Sequence, residues 1–207
     1  MTEGKKTFPI EILTGQEVEK LMRACSRRYP TGIRNRALIT LGYRCGLRIS
    51  EVLSLYPRDV DLEHGVINVR YGKGARQRQV GIDDGAAAIL ERWLEIRKKL
   101  GIRSRAPLFC TVSAGEEMSR GGPLKTSYVR QLMKRLGDKA GIEKRVHFHG
   151  LRHAYASELS KEGVAVPEIQ QTLGHSNLRT TSVYLDHVSP ERVIAVNRSR
   201  SGWGEGL

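Results

Sequence analysis

Residues 66–82 read Val-Ile-Asn-Val-Arg-Tyr-Gly-Lys-Gly-Ala-Arg-Gln-Arg-Gln-Val-Gly-Ile, and this stretch decides the fold class. Val66, Asn68 and Arg70 alternate with Ile67, Val69 and Tyr71, the period of two that sends successive side chains to opposite faces of a strand. Gly72-Lys73-Gly74-Ala75 can turn the chain, and Gln77 to Ile82 can return as the partner strand. The expectation is a β-hairpin with a lysine at its bend. The other periodic segments read as helices, so the fold class is mainly α with a small antiparallel β-sheet (α+β).

Upstream of the hairpin, Thr14-Gly15-Gln16-Glu17 reads as a capping box. Val18, Leu21, Met22 and Cys25 then follow helical spacing. A second helix is expected from about Ile33 to Arg44, stopping near Gly46, and a short third from about Ser50 to Leu55, before Pro57. Downstream, helix resumes from about Asp83 to Leu100, with apolar positions Ile89, Leu90, Trp93, Leu94 and Leu100. Residues 101–125 read as loop. Val129, Leu132, Met133, Leu136 and Ala140 mark another amphipathic helix. In the last quarter, Pro167 and Pro190 each fit a first helical turn, the second behind a Ser189 cap.

The chain has 207 residues, 39% of them hydrophobic, enough for a real core. Lys and Arg total 35 against 22 Asp and Glu, a net charge of +13, which draws a protein to polyanions. No apolar run approaches the roughly 18 residues of a spanning helix, and Met1 to Lys6 is polar, with no signal-peptide core after it. A cytoplasmic, nucleoid-associated protein is expected. Cys25, Cys45 and Cys110 are odd in number and widely spaced, which predicts buried, reduced thiols.

The positive charge is clustered. Residues 70–78 hold Arg70, Lys73, Arg76 and Arg78 with no acid among them, and residues 97–105 hold Arg97, Lys98, Lys99, Arg103 and Arg105, again with none. Between 119 and 153 the basic residues are opposed only by Asp138 and Glu143. A single run of this kind is commonly a solvated helix face; three together favour phosphate neutralisation. Aromatics are only 6%, so contact with the duplex backbone fits better than stacking on bases. Arg70, Arg76, Arg78, Lys125, Arg130 and Lys134 are the candidate DNA contacts.

Phosphodiester transfer needs fixed donors for the charge that builds on the non-bridging oxygens, a proton donor for the leaving alkoxide, and an assisted nucleophile. Arg48 lies in Cys45-Gly46-Leu47-Arg48-Ile49-Ser50-Glu51, Lys73 at the hairpin bend, and His149 and Arg152 in His149-Gly150-Leu151-Arg152-His153. His175 follows Leu173-Gly174, and Tyr184 comes nine residues later. Each has a plainer reading taken alone. Arg48 could pair with Glu51, Lys73 could be solvated, His175 could cap a helix, and Tyr184 could pack its ring. His149 and His153 could form a zinc pair, but HExxH glutamate and carboxylate ligands are not evident, so no metal is expected.

Together these blocks resemble the tyrosine recombinase (phage integrase) family. The GLRISE block, the GKG hairpin, the HGLRH block and LGHSNLRTTSVYLD occur in family order from about Leu13 to Val188. The resemblance implies the tyrosine recombinase catalytic-domain fold and a site-specific recombinase, free of metal, cofactor and ATP. It implies that Arg48, Arg152 and His175 bind the scissile phosphate and that His149 assists proton transfer. Lys73 would then be the general acid for the leaving 5′-hydroxyl, and Tyr184 the nucleophile that holds the 3′-phosphate. Glu51 would support the site, and His153 would be structural. Residues 13–188 would be the catalytic domain, 1–12 a leader, and 189–207 a terminal helix and tail that could dock on a neighbouring subunit. Double-stranded DNA, and self-association as a dimer or tetramer on it, are the implied partners. The N-terminal clamp domain usual in the family has no counterpart here, so the chain reads either as a minimal recombinase or as a catalytic fragment. A type IB topoisomerase and a catalytically silent DNA-binding regulator are the alternatives.

Overall fold

A computed structural model describes residues 11–70, 77–112 and 120–174. The chain divides into two compact units, Met1–Tyr155 and Ala156–Leu207. In the first, α1 (Gly15–Ala24) starts where the capping box was expected. Thr14 Oγ1 accepts from the Glu17 amide at 3.2 Å, and the Glu17 carboxylate accepts from the Thr14 amide at 2.7 Å, a cap whose loss typically costs about 1 kcal/mol.

Helix α2 (Pro30–Arg44) begins earlier than its apolar spacing indicates. Pro30 occupies the first turn, where its fixed φ suits a helix and its missing N–H costs nothing. Ala37, Leu38, Ile39 and Leu41 have no exposed surface. The helix is therefore central, and it packs most extensively on α4 (Asp84–Lys99). Asp83 caps α4 by accepting from the Ala86 amide at 3.1 Å. The turn after α2 leads into α3 (Ile49–Ser54).

The sheet has three antiparallel strands in the order β1 (Val60–Asp61), β2 (Val66–Val69), β3 (Arg78–Gly81). The expected hairpin is present, with Val69 opposite Arg78 and Ile67 opposite Val80. Ile67, Val69 and Val80 turn into the core. Strand β1 was not expected, because two residues are too few to show an alternation. The bend, residues 71–76, lies outside the described residues.

The described residues of 101–125 form the expected loop, but part of it is buried. Leu108, Phe109 and Cys110 are fully buried, Cys110 bridges to Pro123, and Thr111 exchanges backbone hydrogen bonds with Gly121 and Gly122. Helix α5 (Thr126–Lys139) follows, then α6 (Phe148–Glu162). In the second unit, α7 (Val166–Leu173) carries Pro167 in its first turn and ends at Gly174, whose φ of 62° needs a glycine or its like. The expected helix at Pro190 lies outside the described residues.

Helices α2 and α6 meet at Gly42. A Cβ there would stand 2.8 Å from Phe148 Cζ and 3.0 Å from Leu151 Cδ1. Gly42→Val is expected to destabilise by about 1–3 kcal/mol through overpacking; a melting temperature equal to the parent's would show that α6 can move away freely.

Candidate active site

Gly46 adopts a φ of 60°, which ends α2 and lets the chain swing into α3 with Arg48 as its N-cap residue. The Gly46 carbonyl accepts a 2.6 Å hydrogen bond from Nη1 of Arg152. Arg152 lies on α6 and has no exposed surface. Residues 106 positions apart in sequence thus converge at the turn two residues before Arg48.

Glu51, only 1% exposed, organises the other side of Arg48. Its Oε1 accepts from Arg48 Nη1 at 2.9 Å and its Oε2 from the Arg48 amide at 2.8 Å. The guanidinium of Arg78 binds the same carboxylate with both arms, Nη1 to Oε1 and Nη2 to Oε2, each at 2.9 Å. Burial pushes the Glu51 carboxyl up, but the Arg78 hydrogen bond, the Arg48 amide, the Arg78 charge and the Arg48 side-chain hydrogen bond outweigh it and hold it below the ordinary carboxylate range. The plain reading of Arg48, a pair with Glu51, is therefore present, but that carboxylate is shared with a second arginine.

His149 opens α6 on the face that also carries Arg152, three residues on. It keeps solvent access and packs edge-on against His153 with ring centroids 4.4 Å apart. Its pKa is pushed below the ordinary histidine value, first by desolvation, then by the charges of Arg152, His147 and Arg48. That electrostatic reach is a second sign that Arg48, Arg152 and His149 share one neighbourhood. The imidazole is therefore neutral at pH 7 and able to accept a proton. Among the described residues no group of three His, Cys, Asp or Glu could hold a metal ion, and the His149–His153 pair has no third ligand there.

Lys73, Arg76, His175 and Tyr184 lie outside the described residues; the last described residue before His175 is Gly174, the left-handed cap of α7. Of the candidate DNA contacts, Lys125, Arg130 and Lys134 are exposed on or beside α5, the last two a helical turn apart. Arg70 is partly exposed and paired with Asp59, which is 2% exposed. Arg78, expected to face DNA, turns inward instead: its side chain is 14% exposed and engaged by Glu51. Arg97, counted in a basic run, is also buried. It donates to the carbonyls of Pro107 at 2.6 Å and Leu108 at 2.9 Å and to Cys110 Sγ at 3.1 Å. The signal for it was available, because Ala86, Leu90, Trp93 and Arg97 form one buried stripe of α4.

Arg34 is a third inward cation, 2% exposed, bound to Asn35 Oδ1, the Cys110 carbonyl and the Tyr128 hydroxyl. The three cysteines are buried and unbridged. Burial pushes the Cys25 thiol up to about 11 and the Cys45 thiol up to about 12. Among the described residues no helix is long and apolar enough to cross a membrane.

The chain is 38% identical over 193 residues to tyrosine recombinase XerC 2 of Ralstonia nicotianae, covering 93% of this chain and 53% of that protein. It is 42% identical over 174 residues to tyrosine recombinase XerA of Thermococcus kodakarensis, covering 84% and 57%. It thus spans rather more than half the length of these relatives. Among solved structures, the XerA recombinase superposes with a TM-score of 0.76 at 26% identity, covering 98% of this chain and 68% of that one. The XerH recombinase bound to its difH substrate after cleavage gives 0.74 at 25% identity, covering 95% and 55%. The catalytic domain of bacteriophage HP1 integrase shares the fold at 20% identity, with a TM-score of 0.61 and coverage of 92% and 95%. Residues 11–191 match the phage integrase family along nearly the whole chain, across both compact units, and the chain belongs to that family.

Proposed function

We propose that this chain is the catalytic part of a site-specific DNA recombinase that cuts and rejoins strands through a 3′-phosphotyrosine. The observation that carries the reading is the meeting of Arg152 with the Gly46 turn at 2.6 Å, beside Arg48 and with neutral His149 in the field of both arginines. Arg48 and Arg152 bind the non-bridging oxygens of one phosphate, where two guanidinium forks oppose the charge that grows in the transition state. The Tyr184 hydroxyl attacks phosphorus, His149 takes its proton, the P–O5′ bond breaks, and Lys73 gives a proton to the departing 5′-oxygen. His175 adds a donor to the phosphate. The tyrosyl ester retains the energy of the diester, so attack by a new 5′-hydroxyl reverses the steps without ATP. The partner is duplex DNA, with Lys125, Arg130 and Lys134 on its backbone, and recombination calls for self-association on that DNA. The relatives that are named recombinases and the XerH complex with DNA support the DNA partner.

The test is a nicked duplex whose cleaved end diffuses away, so that the covalent complex accumulates. A band that survives denaturation and forms in EDTA is expected; DNA binding without such a band would sink the reading. The pH profile supplies a second check. Because His149 is held below the usual histidine pKa, its neutral form persists into mild acid. The acid limb of adduct formation should therefore lie below about pH 6.5, the unperturbed histidine value; a rate already falling as the pH drops from 8 to 7 would contradict His149 as proton acceptor.

A further inference from the structure

We propose that Arg78 is a positioning residue for Arg48, acting through Glu51; this rests on the recombinase reading above. One carboxylate here meets two guanidinium groups. Arg78 takes both oxygens of Glu51 at 2.9 Å in a two-point fork. Arg48 then adds one side-chain bond at 2.9 Å and one amide bond at 2.8 Å.

The charges explain the arrangement. A lone Glu51–Arg48 pair would be neutral, and Arg48 would lose much of its attraction for a phosphate. With Arg78 as the two-point partner, the Glu51 carboxylate is shared between two guanidinium groups, and Arg48 is the more exposed of them at 23% against 14%. Strand β3 supplies the rigid mount. Arg78 stands opposite Val69 and shares a strand face with buried Val80, so its guanidinium is carried toward the interior and Glu51.

The test uses the full chain, the nicked duplex, and a second duplex in which the scissile phosphate is a methylphosphonate. Replacing a non-bridging oxygen with methyl removes the negative charge that Arg48 meets. Arg78→Ala should slow adduct formation on the ordinary diester on the order of 10- to 100-fold, the loss usual when a group that orients a ligand-holding side chain is removed. On the methylphosphonate the deficit should largely close, as it should for Arg48→Ala.

Where Arg78→Ala does not fold, Arg78→Lys carries the test. It keeps the charge but not the fork, and the same substrate split is expected with a smaller loss. A folded Arg78 variant with the parent's rate on the diester overturns the proposal. So does an equal loss on both substrates. If Arg48→Ala is not relieved by the neutral phosphate while the parent forms adduct, the proposal falls and the recombinase reading stands. If the parent forms no adduct on either duplex, both fall.

Discussion

Arg152→Ala is expected to slow adduct formation by at least about 100-fold, the loss seen when a preorganised donor to developing charge is removed. The side chain has two roles. Its charge is proposed to meet the phosphate, and its Nη1 holds the Gly46 carbonyl at 2.6 Å. Truncation removes the first and leaves the second unsatisfied in the interior, a penalty of about 1–3 kcal/mol. The fold should therefore melt lower as well as react more slowly. Arg152→Lys separates the two effects. An ammonium restores a positive charge and one donor to the carbonyl but not a planar fork for two phosphate oxygens. Its melting temperature should recover toward the parent's while most of the rate loss remains. Parallel recovery of both would mean that Arg152 acts on the turn alone.

The second large effect belongs to Glu51. Removing one member of a buried ionic cluster leaves the others uncompensated, at about 3–5 kcal/mol. Glu51→Ala removes the two-point carboxylate of Arg78 and releases the amide and side chain of Arg48 together, so it should be among the least stable single variants of the chain. The pH dependence has a definite sign. The folded-state pKa of Glu51 lies below its unfolded value, so its contribution is fully present above about pH 4.5 and is lost as the pH falls through the folded value. The stability gap between the parent and Glu51→Ala, measured by denaturant at several pH values, should be wide at neutrality and narrow below the carboxylate range. A gap that stays constant into strong acid would show that the loss is packing rather than charge.

Much of the fold was legible because it rests on local chemistry. Thr14 and Glu17 announce α1, the alternation of 66–69 and 78–81 announces the hairpin, and the apolar spacing of Leu90 and Trp93 announces α4. Strand β1 and the buried run Leu108–Cys110 were hidden, since their partners are distant in sequence and their lengths give no period. The basic runs were only half legible. A charge run reports density and not direction, so Arg97 and Arg78, both turned inward, looked the same as Lys125 and Arg130, which face solvent. Periodicity held the answer in both cases. Arg97 continues a buried helical stripe, and Arg78 shares a strand face with buried Val80. Of the candidate site, Arg48, Glu51, His149 and Arg152 stand out in sequence as residue types, while Lys73, His175 and Tyr184 lie outside the described residues. The spacing of Gly46 from Arg152 was not legible, because a left-handed turn meeting a distant guanidinium leaves no local trace.

Tyr184 is the residue proposed to become joined to DNA. The direct measurement is to trap the covalent complex on a nicked duplex, digest it with protease and sequence the peptide that stays on the 3′ end. A single peptide joined through Tyr184 is expected, and no complex from Tyr184→Phe. A complex that persists in that variant, or a DNA-linked peptide carrying another residue, would contradict that assignment.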